Sequence, residues 1–163
     1  MSTATIDTTK VAGRRTLHFD SIDQILDEVE TLAKCREIRT IGNWTPGQIF
    51  QHLANTITCS IDGFKRMLPA PMRWLLRIFF KKKFLNKPMP AGFKLSAKQA
   101  EYLVPAPTSV EDGLRNLRTA LHRFKTETKR SPSAFMGTLT DEEWVKIHCR
   151  HAELHLSFLQ PVD

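Results

Sequence analysis

The sequence predicts an all-α protein, a four-helix bundle with a long crossover between helices 2 and 3. Three observations carry that expectation. Four separate stretches repeat apolar residues at three/four spacing, the period of a helix with one buried face. Each stretch begins at a Ser or Thr followed three residues later by Gln, Asp or Glu, the pattern that satisfies free amides at a helix start. Six of the nine prolines fall between residues 68 and 108, so that connection cannot be one continuous helix. No stretch shows the alternation of a half-buried strand.

The 163 residues suit one domain, taken as residues 16–163, after a loose polar tail over residues 1–15. The first helix starts at Ser21, with Gln24 completing a capping box, and carries Ile22, Ile25, Leu26, Val29, Leu32 and Ala33. The second starts at Thr45-Pro46-Gly47-Gln48, which supplies a cap, a proline in the first turn and a reciprocal cap at Gln48. Its stripe runs through Ile49, Leu53, Thr56, Ile57, Ile61 and Phe64, and His52 turns inward with it. The third starts at Ser109 and spaces Val110, Leu114, Leu117, Leu121 and Phe124 as a bundle seam. The fourth starts at Thr140 with Glu143, and Trp144, Ile147, His151, Leu154, His155 and Phe158 mark its inward face until Pro161 stops it. Within the crossover, residues 73–84 form a short amphipathic helical piece.

Composition excludes several classes. Cys35, Cys59 and Cys149 are scattered, which argues against a disulfide framework or a four-cysteine zinc site and favours a reducing compartment. The first residues lack the apolar core of a signal peptide, and no apolar run approaches the roughly 18 residues of a membrane span. A cytoplasmic location is the expectation. The net charge of +7 is local: ten Lys/Arg and no Asp/Glu lie between Gly63 and Ala100, leaving 14 basic and 17 acidic residues elsewhere. That segment reads first as a partly packed lid over one end of the bundle. It also reads as a funnel for an anionic substrate, or as a membrane-surface contact through Trp74, Leu75, Leu76, Ile78, Phe79 and Phe80 with Lys81 to Lys83 near anionic lipid. No nucleic-acid reading motif accompanies the charge, so nucleic acid is not an expected partner.

The chemistry lies in the histidines. His151 and His155 are four apart, so on a helix they stand one above the other on one face. Two such imidazoles can share a metal ion; bonded to carboxylates or left in solvent, they would be ordinary histidines. His148 shares that face and is the rival ligand, read as a supporting or rim residue. His18 and His122 carry no pattern. A third imidazole from a facing helix would leave an open coordination position, as catalytic sites have. No general base stands out: Gln48 reads as a cap, and Glu153 lies off the His151/His155 face.

TrpThrProGlyGlnIlePheGlnHisLeu (44–53), HisAlaGluLeuHis (151–155) and GlyThrLeuThrAspGluGluTrp (137–144) together resemble segments of the DinB-like (YfiT-like) metalloenzyme superfamily, and an uncharacterised branch of it. The resemblance spans about residues 16–160. It implies an up-down-down-up four-helix bundle and a three-His metal site made of His52, His151 and His155. It further implies a divalent metal, zinc or nickel first and iron or cobalt next, and use of a low-molecular-weight thiol. Leu156-Ser157-Phe158 stands where the family often has a polar pair, which weakens any transfer of substrate chemistry. The expected function is a metal-dependent thiol transferase or a hydrolase acting on a small molecule of unknown identity. The alternative is a non-catalytic bundle whose His cluster is structural or vestigial and whose basic segment binds a partner. A homodimer completes the expectations.

Overall fold

The computed structural model describes residues 6–92 and 104–162. They form five helices and a two-stranded sheet: α1 (Ile22–Lys34), β1 (Glu37–Thr40), α2 (Pro46–Asp62), α3 (Ala70–Asn86), α4 (Val110–Thr126), α5 (Asp141–Leu156) and β2 (Leu159–Val162). The described chain is thus mostly helical.

The helix starts follow the cap chemistry. Thr45 and Thr140 each accept from the amide three residues on, and Gln48 and Glu143 return the bond to the cap amide. Ser109 accepts from Asp112 N at 3.0 Å. At Ser21 only half of the box forms: Ser21 accepts from Gln24 N, but the Gln24 side chain reaches one residue further back, to Asp20 N at 2.6 Å.

The core is a single cluster in which Ile25, Val29 and Leu32 of α1, Phe50 and Ile61 of α2, Leu117 and Leu121 of α4 and Leu156 of α5 are fully buried. Helices α2 and α4 lie closest, and two glycines permit it. A Cβ on Gly47 would meet the Thr108 carbonyl oxygen at 2.1 Å, and one on Gly113 would meet the Gly47 carbonyl oxygen at 2.6 Å. The two backbones therefore touch where α2 begins, which sets the position of the first turns of α2.

Five expectations need correction. Two strands exist where none was expected: β1 and β2 pair antiparallel, with Glu37 opposite Val162 and Ile38 opposite Pro161. Pro161 does not stop a helix. It sits in a strand with a single neighbour, where a missing N–H is tolerated, and α5 has already ended at Leu156. The buried face of α5 is also rotated from the one expected. It runs through Trp144, His148, Cys149, Ala152 and Leu156, while Ile147, His151, Leu154 and His155 are half-buried at its flank. Val110, expected in the α4 seam, is exposed at the first turn. The crossover helix is longer than the piece expected, covering all of Ala70–Asn86, and Lys94 and Lys98 lie outside the described residues.

Residues 6–15, expected as part of a tail, make specific contacts, while residues 1–5 lie outside the described ones. Ile6 N donates to Asn43 Oδ1, Arg15 N donates to Ser157 O, and Arg15 pairs with Glu28. Glu153, buried on α5, accepts from Phe19 N at 2.7 Å and from Arg150 Nη2 at 2.8 Å, which clamps the approach to α1 onto α5.

Candidate metal site

His52 comes from the second turn of α2 and His151 and His155 from the last two turns of α5, so a helix pair and an i, i+4 step bring the three imidazoles together. One ring nitrogen from each lies within 4.8 Å of the others. His52 Nε2 and His151 Nε2 are 3.1 Å apart. Ring centroids are separated by 4.6 Å for His52–His155 and His151–His155 and by 4.9 Å for His52–His151. Around a tetrahedral ion with metal–nitrogen bonds of about 2.0–2.1 Å, ligand nitrogens stand roughly 3.3 Å apart. The His52–His151 spacing matches that figure, and the donor set holds no carboxylate. The group can hold a metal ion.

Protonation suits ligation. Withdrawal from solvent holds His151 well below the ordinary imidazole range, and the neighbouring His155, His52 and His148 rings add to it. Withdrawal from solvent does the same at His155, with His52 and the Arg14 guanidinium contributing. Both rings are neutral at neutral pH and offer lone pairs, as a metal requires.

The surroundings orient the rings. The Thr56 hydroxyl donates to Leu53 O at 3.0 Å, which leaves its oxygen free to accept from His151 Nδ1 at 3.4 Å. That places the His151 proton on Nδ1 and the lone pair on Nε2, the nitrogen facing His52. The Trp44 indole stacks on His155 at 5.4 Å with the planes 2° apart, and lies 4.8 Å from His52. It covers one side of the cluster. Arg14 lies next to the site: its Nε and Nη2 donate to Ser157 Oγ at 3.1 and 2.9 Å, and its guanidinium lies 4.5 Å over the Phe158 ring.

The family model described as "Protein of unknown function (DUF1569)" matches residues 11–162. The chain belongs to this family. Its members' model therefore covers the whole site, from Arg14 through His52 to His155 and Ser157. No curated protein and no solved structure gives a significant match.

The other sequence candidates fall elsewhere. His148 is not at the rim: it is buried against Trp144 and Phe124, its Nε2 lies 3.0 Å from Ser60 Oγ, and burial pushes its pKa down to about 3. Ser60 gives its own proton to Ile57 O, so His148 is a neutral donor to Ser60. It belongs to the core, outside the three-His group. Gln48 is the cap it was read as, and its amide also donates to Pro105 O at 3.0 Å. Glu153 faces the N-terminal segment. His18 is exposed beside Asp20, and His122 is exposed on α4. Burial raises the thiol pKa of Cys149 to about 11 and lifts that of Cys59, so neither is a ready thiolate.

Thr56 and Arg14 were not singled out as site residues from the sequence, and Trp44 entered only as the first residue of the 44–53 segment. Thr56 had a signal: it stands one turn beyond His52 in an otherwise aliphatic stripe. Arg14 had none, because its place depends on how the N-terminal segment folds back onto the end of α5.

Proposed function

We propose that α1, α2, α4 and α5 form a DinB-like (YfiT-like) four-helix bundle. His52, His151 and His155 hold one divalent metal ion in it, zinc or nickel first, with a fourth position open for chemistry. The observation that carries this reading is the convergence of three imidazoles, one ring nitrogen of each within 4.8 Å of the others, with no carboxylate among them. The order of the motifs around Trp44, His52 and His151 supports it independently. An ion held there would supply a Lewis acid that lowers the pKa of water toward about 7 or stabilises a thiolate.

The residues of the chain define what the fourth position accepts. Three neutral ligands leave the metal's charge uncompensated, and Arg14 adds a cation beside His155. The position favours an anion. Thr56 fixes the tautomer of His151, and Trp44 keeps bulk water off His155 and His52. Burial holds Cys149 and the half-buried Cys59 as thiols, which favours a small molecule as the source of a sulfur nucleophile. This is the arrangement of a thiol-dependent transferase, and a hydrolase is the variant in which water takes the same place.

A second reading is favoured by one observation. The 3.1 Å His52–His151 contact is also what two neutral imidazoles make on their own as a hydrogen bond. In that case the cluster is structural. Cobalt-loaded protein separates the readings. On addition of 2-mercaptoethanol, a sulfur-to-cobalt charge-transfer band is expected in the near ultraviolet, weakened in Arg14→Gln. A cobalt spectrum that ignores the thiol but titrates with pH favours hydrolysis, and failure to take up cobalt at all favours the structural cluster.

A further inference from the structure

Helix α3 leaves much of its apolar surface outward. Two of its cations act on α5: Lys81 pairs with Glu143, and Arg77 also acts on that carboxylate. Phe84 packs against the core and Leu85 is buried. The exposed surface of the helix carries Met72, Leu75 and Phe79 at i, i+3 and i+7, with Trp74 and Ile78, one turn apart, on the strip that continues to Lys81 and Leu85. All five are exposed, Trp74 by 62% and Phe79 by 69%. Lys82, Lys83 and Lys87 are exposed at the end of this face, and Lys65 and Arg66 before it. Between Gly63 and Ala100 there is no acidic residue.

A contiguous apolar face of this kind marks a binding surface. Its charge selects the partner. A second copy docked through the same face would bring Lys82, Lys83 and Lys87 of both chains together, which disfavours it. An anionic surface meets them with opposite charge. A helix that exposes aromatic and aliphatic side chains with lysines at their border can lie in the plane of a membrane, apolar surface down. We infer that α3 is a docking element for an anionic lipid surface, with Trp74, Leu75, Ile78 and Phe79 entering the interface and Lys82, Lys83 and Lys87 meeting the headgroups. The helix docks at Glu143, eight residues and about 12 Å of helix from His151. Membrane binding there leaves the His cluster outside the contact, so the inference does not rest on the metal reading.

The test is fluorescence of the full chain with vesicles. Vesicles of phosphatidylcholine and phosphatidylserine in a three-to-one ratio should blue-shift the emission of the wild type, and Trp74→Phe should lose the shift while Trp44 and Trp144 remain. Each basic side chain near such a surface strengthens binding about fivefold, so Lys82→Gln/Lys83→Gln/Lys87→Gln should weaken it roughly a hundredfold. Phe79→Asp should weaken binding with an unchanged circular dichroism spectrum, since the residue is exposed. Pure phosphatidylcholine vesicles should bind far more weakly. No shift with the anionic vesicles at low salt would overturn the inference. So would a dimer in sedimentation that shields Trp74 from a soluble quencher without lipid.

Discussion

Replacing His148 with Gln tests whether that ring is a core residue or a ligand. In the wild type, burial lowers its pKa from 6.5 to about 3. Above pH 6.5 the group is neutral in both folded and unfolded chains, and its contribution is fully present. As the pH falls below 6.5, the unfolded chain binds a proton that the folded chain refuses, and stability declines until the pH reaches the folded value near 3. Each unit is worth about 1.4 kcal/mol, so by about pH 4 the loss at this one residue is about 3 kcal/mol. His148→Gln keeps an amide donor for Ser60 and removes the titration. Urea unfolding of both proteins with chelator present, at about pH 7 and about pH 4, isolates the effect, because the other titrating groups cancel in the comparison. The wild type should lose about 3 kcal/mol more than the variant. Parallel losses would refute the burial argument, and loss of metal uptake in His148→Gln would return this residue to the ligand set.

Three further expectations concern the surroundings of the site. Thr56→Val removes the acceptor that fixes the His151 tautomer and should weaken metal affinity about 10- to 100-fold in a chelator competition, with little change in stability. Gly113→Ala places a methyl against the Gly47 carbonyl oxygen, which cannot move alone. Overpacking of about 1–3 kcal/mol should outweigh the gain in helix propensity of up to about 1 kcal/mol, read as a lower urea midpoint. Glu153→Gln leaves Arg150 as a buried cation without its anion. A loss of about 3–5 kcal/mol is expected, with faster amide exchange at Phe19 as the local sign.

The helix starts were legible because cap chemistry is local: Thr45 with Gln48 and Thr140 with Glu143 need only their own turn. The α1 and α4 core faces were legible for a similar reason, since Ile25, Val29, Leu117 and Leu121 repeat with the helix period. The small sheet was not. Each strand has four residues, too few to show alternation, and the pairing joins positions 119 to 125 residues apart. Pro161 read as a stop because a lone proline gives the same signal at an edge strand. The α5 face was rotated because His151 and His155 were counted with the core, whereas polar rings at the flank of a helix leave the smaller Cys149 and Ala152 to pack inside. The three-His grouping came from the i, i+4 step and the cap that turns His52 inward. Thr56 and Trp44 belong to it through tertiary contact, and Arg14 does so through a segment with no periodicity of its own.

The central claim is that three imidazoles hold one ion. Metal content of the purified protein, measured by mass spectrometry after reloading with zinc or nickel, addresses it directly. The wild type should hold one ion per chain, and His52→Ala, His151→Ala and His155→Ala should each lose it while remaining folded. Metal-free wild type, or three variants that bind as the wild type does, would contradict the account.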